Sequence, residues 1–391
     1  MGDGLGSYAS YFAGFALGFL GGLVPGLHSN TLISILASLG YEGHALAFII
    51  IALFPAHLVS SFIPAIFFGV PDADNAASSL PGHRLVRMGM GAAALRAVLL
   101  AALLAGLLAA ALLLPSISFF PAAYSLIRPH LGRILLALSI FLLARTRKPL
   151  LSALIFLLSG ILGSICLRSG LQDPFLPLFS GMFAMAAIAS YRRGEVQGQA
   201  EGCAGGDGHV ARTVPAGVAL GMLADLMPGI GSPSQVAAFS TIFMRSGPLG
   251  YLSLISSISV SQAVFSLATS TSIGKSRVGA TAWLAQSIDV GANLPMLAAL
   301  FIISLAAASL LAFAARRFLV RFADADFSGI NVILASYLAL ITLAIDGPAG
   351  LLFLALATGV GLICLRLGVE RTNLMGAIIV PTLMLLFGVF T

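Results

Sequence analysis

The sequence predicts an all-α polytopic membrane protein built from two inverted repeats with broken or re-entrant helices, in roughly ten to twelve membrane segments. Three observations predict this. Of 391 residues, 59% are hydrophobic and only 9% charged, where a soluble domain carries about 25% charged residues; a soluble enzyme, a disordered scaffold and a free nucleic-acid binder are thereby disfavoured. The apolar runs, such as Ala93–Pro115 and Pro295–Ala315, are long and continuous. They suit helices of about 20 residues, and not the alternating strands of roughly 10 residues found in a membrane barrel. Finally, a pattern of Gly, Pro and Ser near the start recurs in the second half.

Taken in order, Tyr8–Val24 is apolar and stops at Pro25-Gly26, and Thr31–Leu39 is apolar but too short to cross. Ala45–Gly69 is long enough and contains Pro55 and Pro64. A polar stretch, Val70–Gly91, follows, then Ala93–Pro115, a break around Pro121–Arg133, and Ile134–Ala144. The basic cluster Arg145, Arg147 and Lys148 precedes Leu150–Leu167 and Phe175–Ala189. The positive-inside rule puts that cluster and Arg192-Arg193 on the cytoplasmic side. Residues 191–212 are hydrophilic, rich in Gly and Gln, and read as a linker between a first repeat (1–190) and a second (213–391). The second half runs through Val214–Met227, a short piece near Val236–Met244, Leu249–Ile273 and the polar Gly274–Arg277. Ala292–Ala315, Ile330–Ile345, Pro348–Leu367 and Leu374–Phe390 complete it.

The repeat aligns GFALGFLGGLVPGLHS (Gly14–Ser29) with GVALGMLADLMPGIGS (Gly217–Ser232) without gaps. Gly14 falls on Gly217, Gly18 on Gly221, Pro25-Gly26 on Pro228-Gly229, and Ser29 on Ser232. Pro-Gly ends a helix, since proline lacks an N–H and glycine permits φ > 0. Each break is followed by polar residues: His28, Ser29, Asn30 and Thr31 in one copy, Gly231, Ser232, Ser234 and Gln235 in the other. An ordinary surface turn is the competing reading. Paired interruptions at matching places in two halves instead point to a transporter's binding site, with helix starts offering N–H groups to an anion. Substrate-binding candidates are therefore Pro25, Gly26, His28, Ser29, Asn30, Thr31, Pro228, Gly229, Gly231, Ser232, Ser234 and Gln235.

Charged residues in or beside apolar runs are expensive and mark function when they occur there. Asp72, Asp74 and Asp225 are candidates for a coupling Na⁺ or H⁺, with a solvated loop as the alternative for the first two. Arg84, Lys275 and Arg277 are candidates for attracting an anion. His28, His57 and His83 titrate near neutral pH when unperturbed. Ser60, Ser61, Ser259, Ser261, Gln262 and residues 269–272 either line a path or bind helices together. Cys166, Cys203 and Cys364 lack metal-ligand spacing. No metallohydrolase, P-loop, nucleophile-elbow or kinase signature is present, so no cofactor and no enzyme activity are expected.

These residues resemble the large membrane (permease) subunit of the tripartite tricarboxylate transporters, in particular its shorter archaeal relatives. The likeness is carried by Gly18, Gly21, Gly22, Pro25 and Gly26; by Phe62–Pro71, Asp72–Asn75 and the run Leu80-Pro81-Gly82-His83-Arg84; by Lys148–Gly163 with Pro174–Met185; and by Gly221, Pro228, Gly229, Ile230 and Gly231. One departure is Val70-Pro71-Asp72, where that family carries Pro-Gly. The resemblance implies a multi-pass permease of the cell membrane for small carboxylate anions, working with a small membrane subunit and an extracytoplasmic binding protein. Ion-coupled alternating access between the two Pro-Gly loops is the expected mechanism, and a homodimer is an open possibility. Two other readings stand beside it: a carrier for an anionic lipid such as a polyprenyl phosphate, and an intramembrane enzyme.

Overall fold

A computed structural model describes residues 3–70, 76–191, 197, 207–227, 233, 236–237, 247–322 and 328–389. All regular elements among the described residues are helical. In the first half they are α1 (Asp3–Gly22), α2 (Ser29–Ser38), α3 (Gly43–Ser60, continuing as a π-turn over Pro64–Phe68), α4 (Ala76–Arg87) and α5 (Gly91–Ala111). Then come α6 (Leu113–Ile127), α7 (Leu131–Arg145), α8 (Pro149–Cys166) and α9 (Phe175–Ala189). The second half has α10 (Val210–Leu226), α11 (Pro248–Ile273), α12 (Gly279–Ser287), α13 (Leu294–Ala314), α14 (Arg316–Phe322), α15 (Ser328–Leu367) and α16 (Gly376–Leu386). Seven helices among the described residues are long and apolar enough to cross a membrane. On α8, Leu150, Leu154, Leu157, Ile161 and Ile165 are exposed at helical spacing, a stripe suited to lipid.

One expectation needs correcting and another narrowing. The stretch Val70–Gly91 is not merely polar: it contains α4, which buries Ser78, Gly82, Leu85 and Val86 along one helical face. The break expected around Pro121–Arg133 is present, but Pro121 is not part of it. Helix α6 runs through that residue, and the interruption is one 3₁₀ turn at Arg128–His130.

Glycine sets how closely the first helices of each half approach. A Cβ at Gly14 or Gly18 of α1 would collide with the backbone of Ile49 or Leu53 on α3. A Cβ at Gly217 or Gly221 of α10 would collide with Ser257 or Ser261 on α11. Small residues allow such backbone contact, which is a main source of helix attraction in lipid. Buried serines tie the same interfaces to other helices. Ser256 Oγ donates to Val98 O at 2.9 Å, Ser304 Oγ to Ala52 O at 2.6 Å and Ser261 Oγ to Gly217 O at 3.3 Å. For these serines, helix binding is the observed role.

The register that aligns Gly14 with Gly217 extends through the fold. It places Gly91 and Ala111, the ends of α5, on Leu294 and Ala314, the ends of α13. It also places the first residue of α4 on the first of α12, and the first of α6 on the first of α14. Contacts between the halves are reciprocal. Helix α5 packs on α11 as α13 packs on α3, and α8 packs on α16 as α15 packs on α9.

Within α15, Gly347 is left-handed (φ 67°) and divides the helix into limbs 328–346 and 348–367. The chain reverses there, because a Cβ on Gly350 would lie 3.1 Å from Thr342 Cγ2; eight residues of straight helix would separate them by about 12 Å. At one end of α8, Lys148 Nζ donates to Leu367 O at 2.6 Å. Beyond its other end, Asp173 N donates to Asp346 Oδ1 at 2.9 Å. Helix α8 and the second limb of α15 therefore run antiparallel. The register pairs these two elements, so matched segments cross in opposite senses.

Candidate functional site

The first Pro-Gly break is buried in protein and held by side chains from three directions. Gly26 is left-handed (φ 82°) and a Cβ there would press on Leu338 and Ala184. Its carbonyl accepts from Ser180 Oγ at 2.9 Å, and the next carbonyl, Leu27 O, accepts from His57 Nε2 at 2.8 Å. Thr31 Oγ1 donates to Asp173 Oδ2 at 2.7 Å. Pro25, Leu27, Ser29 and Thr31 are buried. Irregular backbone at such a place persists because these donors satisfy it.

The start of α2 is not an open anion site, contrary to expectation. His28 is its N-cap, and its Nδ1 accepts from Asn30 N at 3.3 Å. The Thr31 and Leu32 N–H groups both donate to His28 O. What remains available is the side chain of Asn30, whose Oδ1 is buried without a partner.

Asn30 lies against the start of α12. A Cβ on Gly279 would overlap the Asn30 carboxamide, so glycine there makes the contact possible. The N-cap of α12, Val278, supplies no side-chain cap, and its own N–H donates to Ser266 Oγ at 3.4 Å. This helix start therefore keeps free N–H groups and the positive end of its dipole. Two residues earlier stands Arg277, with its guanidinium 5.6 Å from the Tyr124 ring centre and a 3.4 Å hydrogen bond to that hydroxyl. Its Nε is buried without a partner. Asp225, fully buried at the end of α10, feels this charge and accepts a short hydrogen bond from Thr269 through Oδ2, while Oδ1 has no partner.

The fold thus assembles Asn30, Gly279, Arg277, Asp225, Thr269 and Tyr124 from both halves. Pro25, Gly26, His28, Ser29 and Thr31 build the loop that positions Asn30. Lys275 is exposed beyond α11, and Arg84 is exposed on α4. Burial pushes the nearby His83 imidazole below its usual pKa. Asp72, Asp74, Pro228, Gly229, Gly231, Ser232, Ser234 and Gln235 lie outside the described residues. Among the described residues no group of three or more His, Cys, Asp or Glu could hold a metal ion.

Residues 9–376 match the family described as "Tripartite tricarboxylate transporter TctA family". The chain belongs to the TctA family. It is a multi-pass membrane protein of a transporter family, whose members are the permease subunits of tripartite carboxylate systems. The uncharacterized protein MJ1079 of Methanocaldococcus jannaschii is 25% identical to it over 390 residues, which span 95% of this chain and 96% of that protein. No solved structure matches the chain significantly.

In this TctA-family chain, sequence reasoning missed Tyr124, Asp173, Gly279 and Asp346. The two aspartates did carry a signal. Each stands just before proline or Gly-Pro, Asp173-Pro174 ahead of one apolar run and Asp346-Gly347-Pro348 between two, and a carboxylate at a helix break is a functional candidate in the same way as Asp225.

Proposed function

We propose that this permease binds a small di- or tricarboxylate where α2 and α12 meet, and moves it by ion-coupled alternating access between two inverted repeats, residues 1–190 and 213–391. The observation that carries this reading is the Asn30–Gly279 contact. It sets an amide side chain from one half against the uncapped helix start of the other, with the Arg277 guanidinium two residues from that start. One substrate carboxylate would take the α12 N–H groups, and Arg277 would neutralise its charge in a site poor in water. Rocking of one half against the other would open this junction alternately to either side. A small membrane subunit and an extracytoplasmic binding protein, the usual partners in tripartite systems, would deliver the substrate.

The chain's single tryptophan, Trp283, lies on α12 one turn after Gly279. Titrating purified protein with citrate or succinate should give a saturable change in its fluorescence, weakened by Arg277→Ala. A flat response to every di- and tricarboxylate would refute the reading. A second reading, transport of an anionic lipid phosphate, draws on Tyr124. This residue belongs to α6, whose Leu114, Phe119 and Leu126 are exposed, so a lipid reaching α6 from the side would meet Arg277 through Tyr124. A saturable Trp283 response to a polyprenyl phosphate, with none to carboxylates, would favour it.

A further inference from the structure

The tip of the α15 hairpin meets the first Pro-Gly loop through two aspartates. Thr31, in the first turn of α2, donates to Asp173, and the Asp173 N–H donates to Asp346 on the hairpin tip. The second Asp173 oxygen accepts from Leu176 N at 3.3 Å. Asp173 is therefore fully engaged, and Asp346 is not. Asp346 is 9% exposed, and its Oδ2 is buried without a partner. One turn earlier on the same face, Thr342 is 0% exposed, and its Oγ1 also lacks a partner. Gly350 brings the second limb against both residues, since a Cβ there would touch the Asp346 and Thr342 side chains.

No basic side chain acts on Asp346 among the described residues. The titratable groups facing Asp346 are Asp173, ahead of α9, and the Cys166 thiol at the end of α8. Neither aspartate has an ion-pair partner among the described residues. Asp346 stands between the C-terminal end of the first limb and the N-terminal end of the second, so the two helix dipoles oppose each other there. Its Oδ2 and Thr342 Oγ1 are the groups left without partners. Chain reversal at Gly347 and the missing N–H of Pro348 free carbonyl oxygens of the first limb's last turn. Unwound carbonyls at a helix C-terminus, a carboxylate and a threonine hydroxyl are hard oxygen donors of the kind that take Na⁺ or a proton at broken helices.

We propose that Asp346, with Thr342 and the end of the first α15 limb, binds the coupling monovalent cation, and that Asp173 relays its occupancy to Thr31 and so to the substrate loop. This rests on the transporter reading above, but its test needs no substrate. The melting temperature of the purified full-length protein is measured in a NaCl titration against choline chloride at fixed pH, and in a pH series in choline alone. Wild type should be stabilised along at least one axis, and Asp346→Asn should flatten that response. Thr342→Ala should blunt a Na⁺ response and spare a proton response, which tells the two cations apart. Asp289→Asn, at an exposed position, serves as the control and should behave as wild type. A wild type indifferent to both Na⁺ and pH, or an Asp346→Asn response equal to wild type, would overturn the proposal. If Asp346→Asn does not yield monodisperse protein, Asp346→Glu replaces it. A Na⁺ midpoint or pH midpoint for this variant unchanged from wild type would likewise overturn the proposal. If the proposal holds while Trp283 ignores carboxylates, it is the substrate assignment that fails.

Discussion

The α1–α3 pair of the first half and the α10–α11 pair of the second share a frame and differ in chemistry. In both, two glycines one turn apart bring the first helix into backbone contact with the second. The register then puts Gly22 opposite Asp225. Where α1 ends, the neighbours are Ser60 and His57, and the loop beyond is held by Ser180, His57 and, through Thr31, Asp173. Where α10 ends, a buried carboxylate bonds Thr269 and faces Arg277. The hairpins contrast in the same way. The α7–α8 turn carries Arg145, Arg147 and Lys148, and the matching α15 tip carries Asp346. Glycine positions fix the scaffold twice, and the charges are distributed asymmetrically on it. A strictly symmetric protein would offer like charges to both sides, whereas this one separates a basic junction at Arg277 from an acidic pocket at Asp346.

The shared frame is tested most severely by filling its glycines. Gly18→Leu and Gly221→Leu should each abolish monodisperse protein, because the added side chain meets backbone in one case and the Ser261 and Ile258 region in the other. Overpacking a tight interface costs about 1–3 kcal/mol or more, and backbone contact leaves little room to relax. Fluorescence-detected size exclusion reads the outcome. Normal yield from either variant would show that the two pairs are not held in the same way.

The charge asymmetry is tested next. Arg277→Ala should weaken citrate binding by about ten- to a hundredfold, given that a hydrogen bond to a charged group contributes about 1.5–3 kcal/mol. Lys275→Ala, at an exposed position, should change it less than about twofold, as surface charges usually do. Equal losses in the two variants would place the anion outside the junction. Coupling separates the two buried aspartates of the second half. In proteoliposomes, Asp225→Asn should keep gradient-driven uptake, and Asp346→Asn should lose it while retaining counterflow. The reverse result would return coupling to Asp225. Asn30→Ala should then raise the citrate Kd several-fold, on the order of the 0.5–1.5 kcal/mol of one hydrogen bond, with melting unchanged.

Much of the scaffold was legible in the sequence, because glycine and proline act locally. Pro25-Gly26 ends a helix wherever it stands, and Gly14, Gly18, Gly217 and Gly221 announce close packing whatever their partner is. The split of residues 328–367 at Gly347-Pro348 was readable for the same reason. The site was legible only in part. Asn30, Arg277 and Asp225 stood out as polar residues at breaks. Gly279 did not, because its role is to admit a side chain that is distant in sequence. Asp173 and Asp346 stood beside prolines in the sequence, but their link to each other appears only when the α15 hairpin brings its tip to α2. The sequence also did not announce that His28 would consume the helix start it introduces. Any residue after Pro-Gly leaves those N–H groups free on paper, and only the backbone and ring placement shows that His28 accepts them.

That cap supplies the smallest effect and the finest test of the comparison. His28 has Ser, Thr, Asp or Asn as its usual chemical equivalents at an N-cap, and loss of such a cap to alanine costs about 1 kcal/mol. His28→Ala should therefore lower thermal stability slightly, and His28→Asn should restore it, since a carboxamide oxygen can accept from Asn30 N in place of Nδ1. If His28 instead binds substrate directly, His28→Asn will bind citrate as poorly as His28→Ala, at a stability equal to wild type. A cap predicts the opposite split: the asparagine variant recovers both stability and binding, because what the loop contributes to the junction is the placement of Asn30.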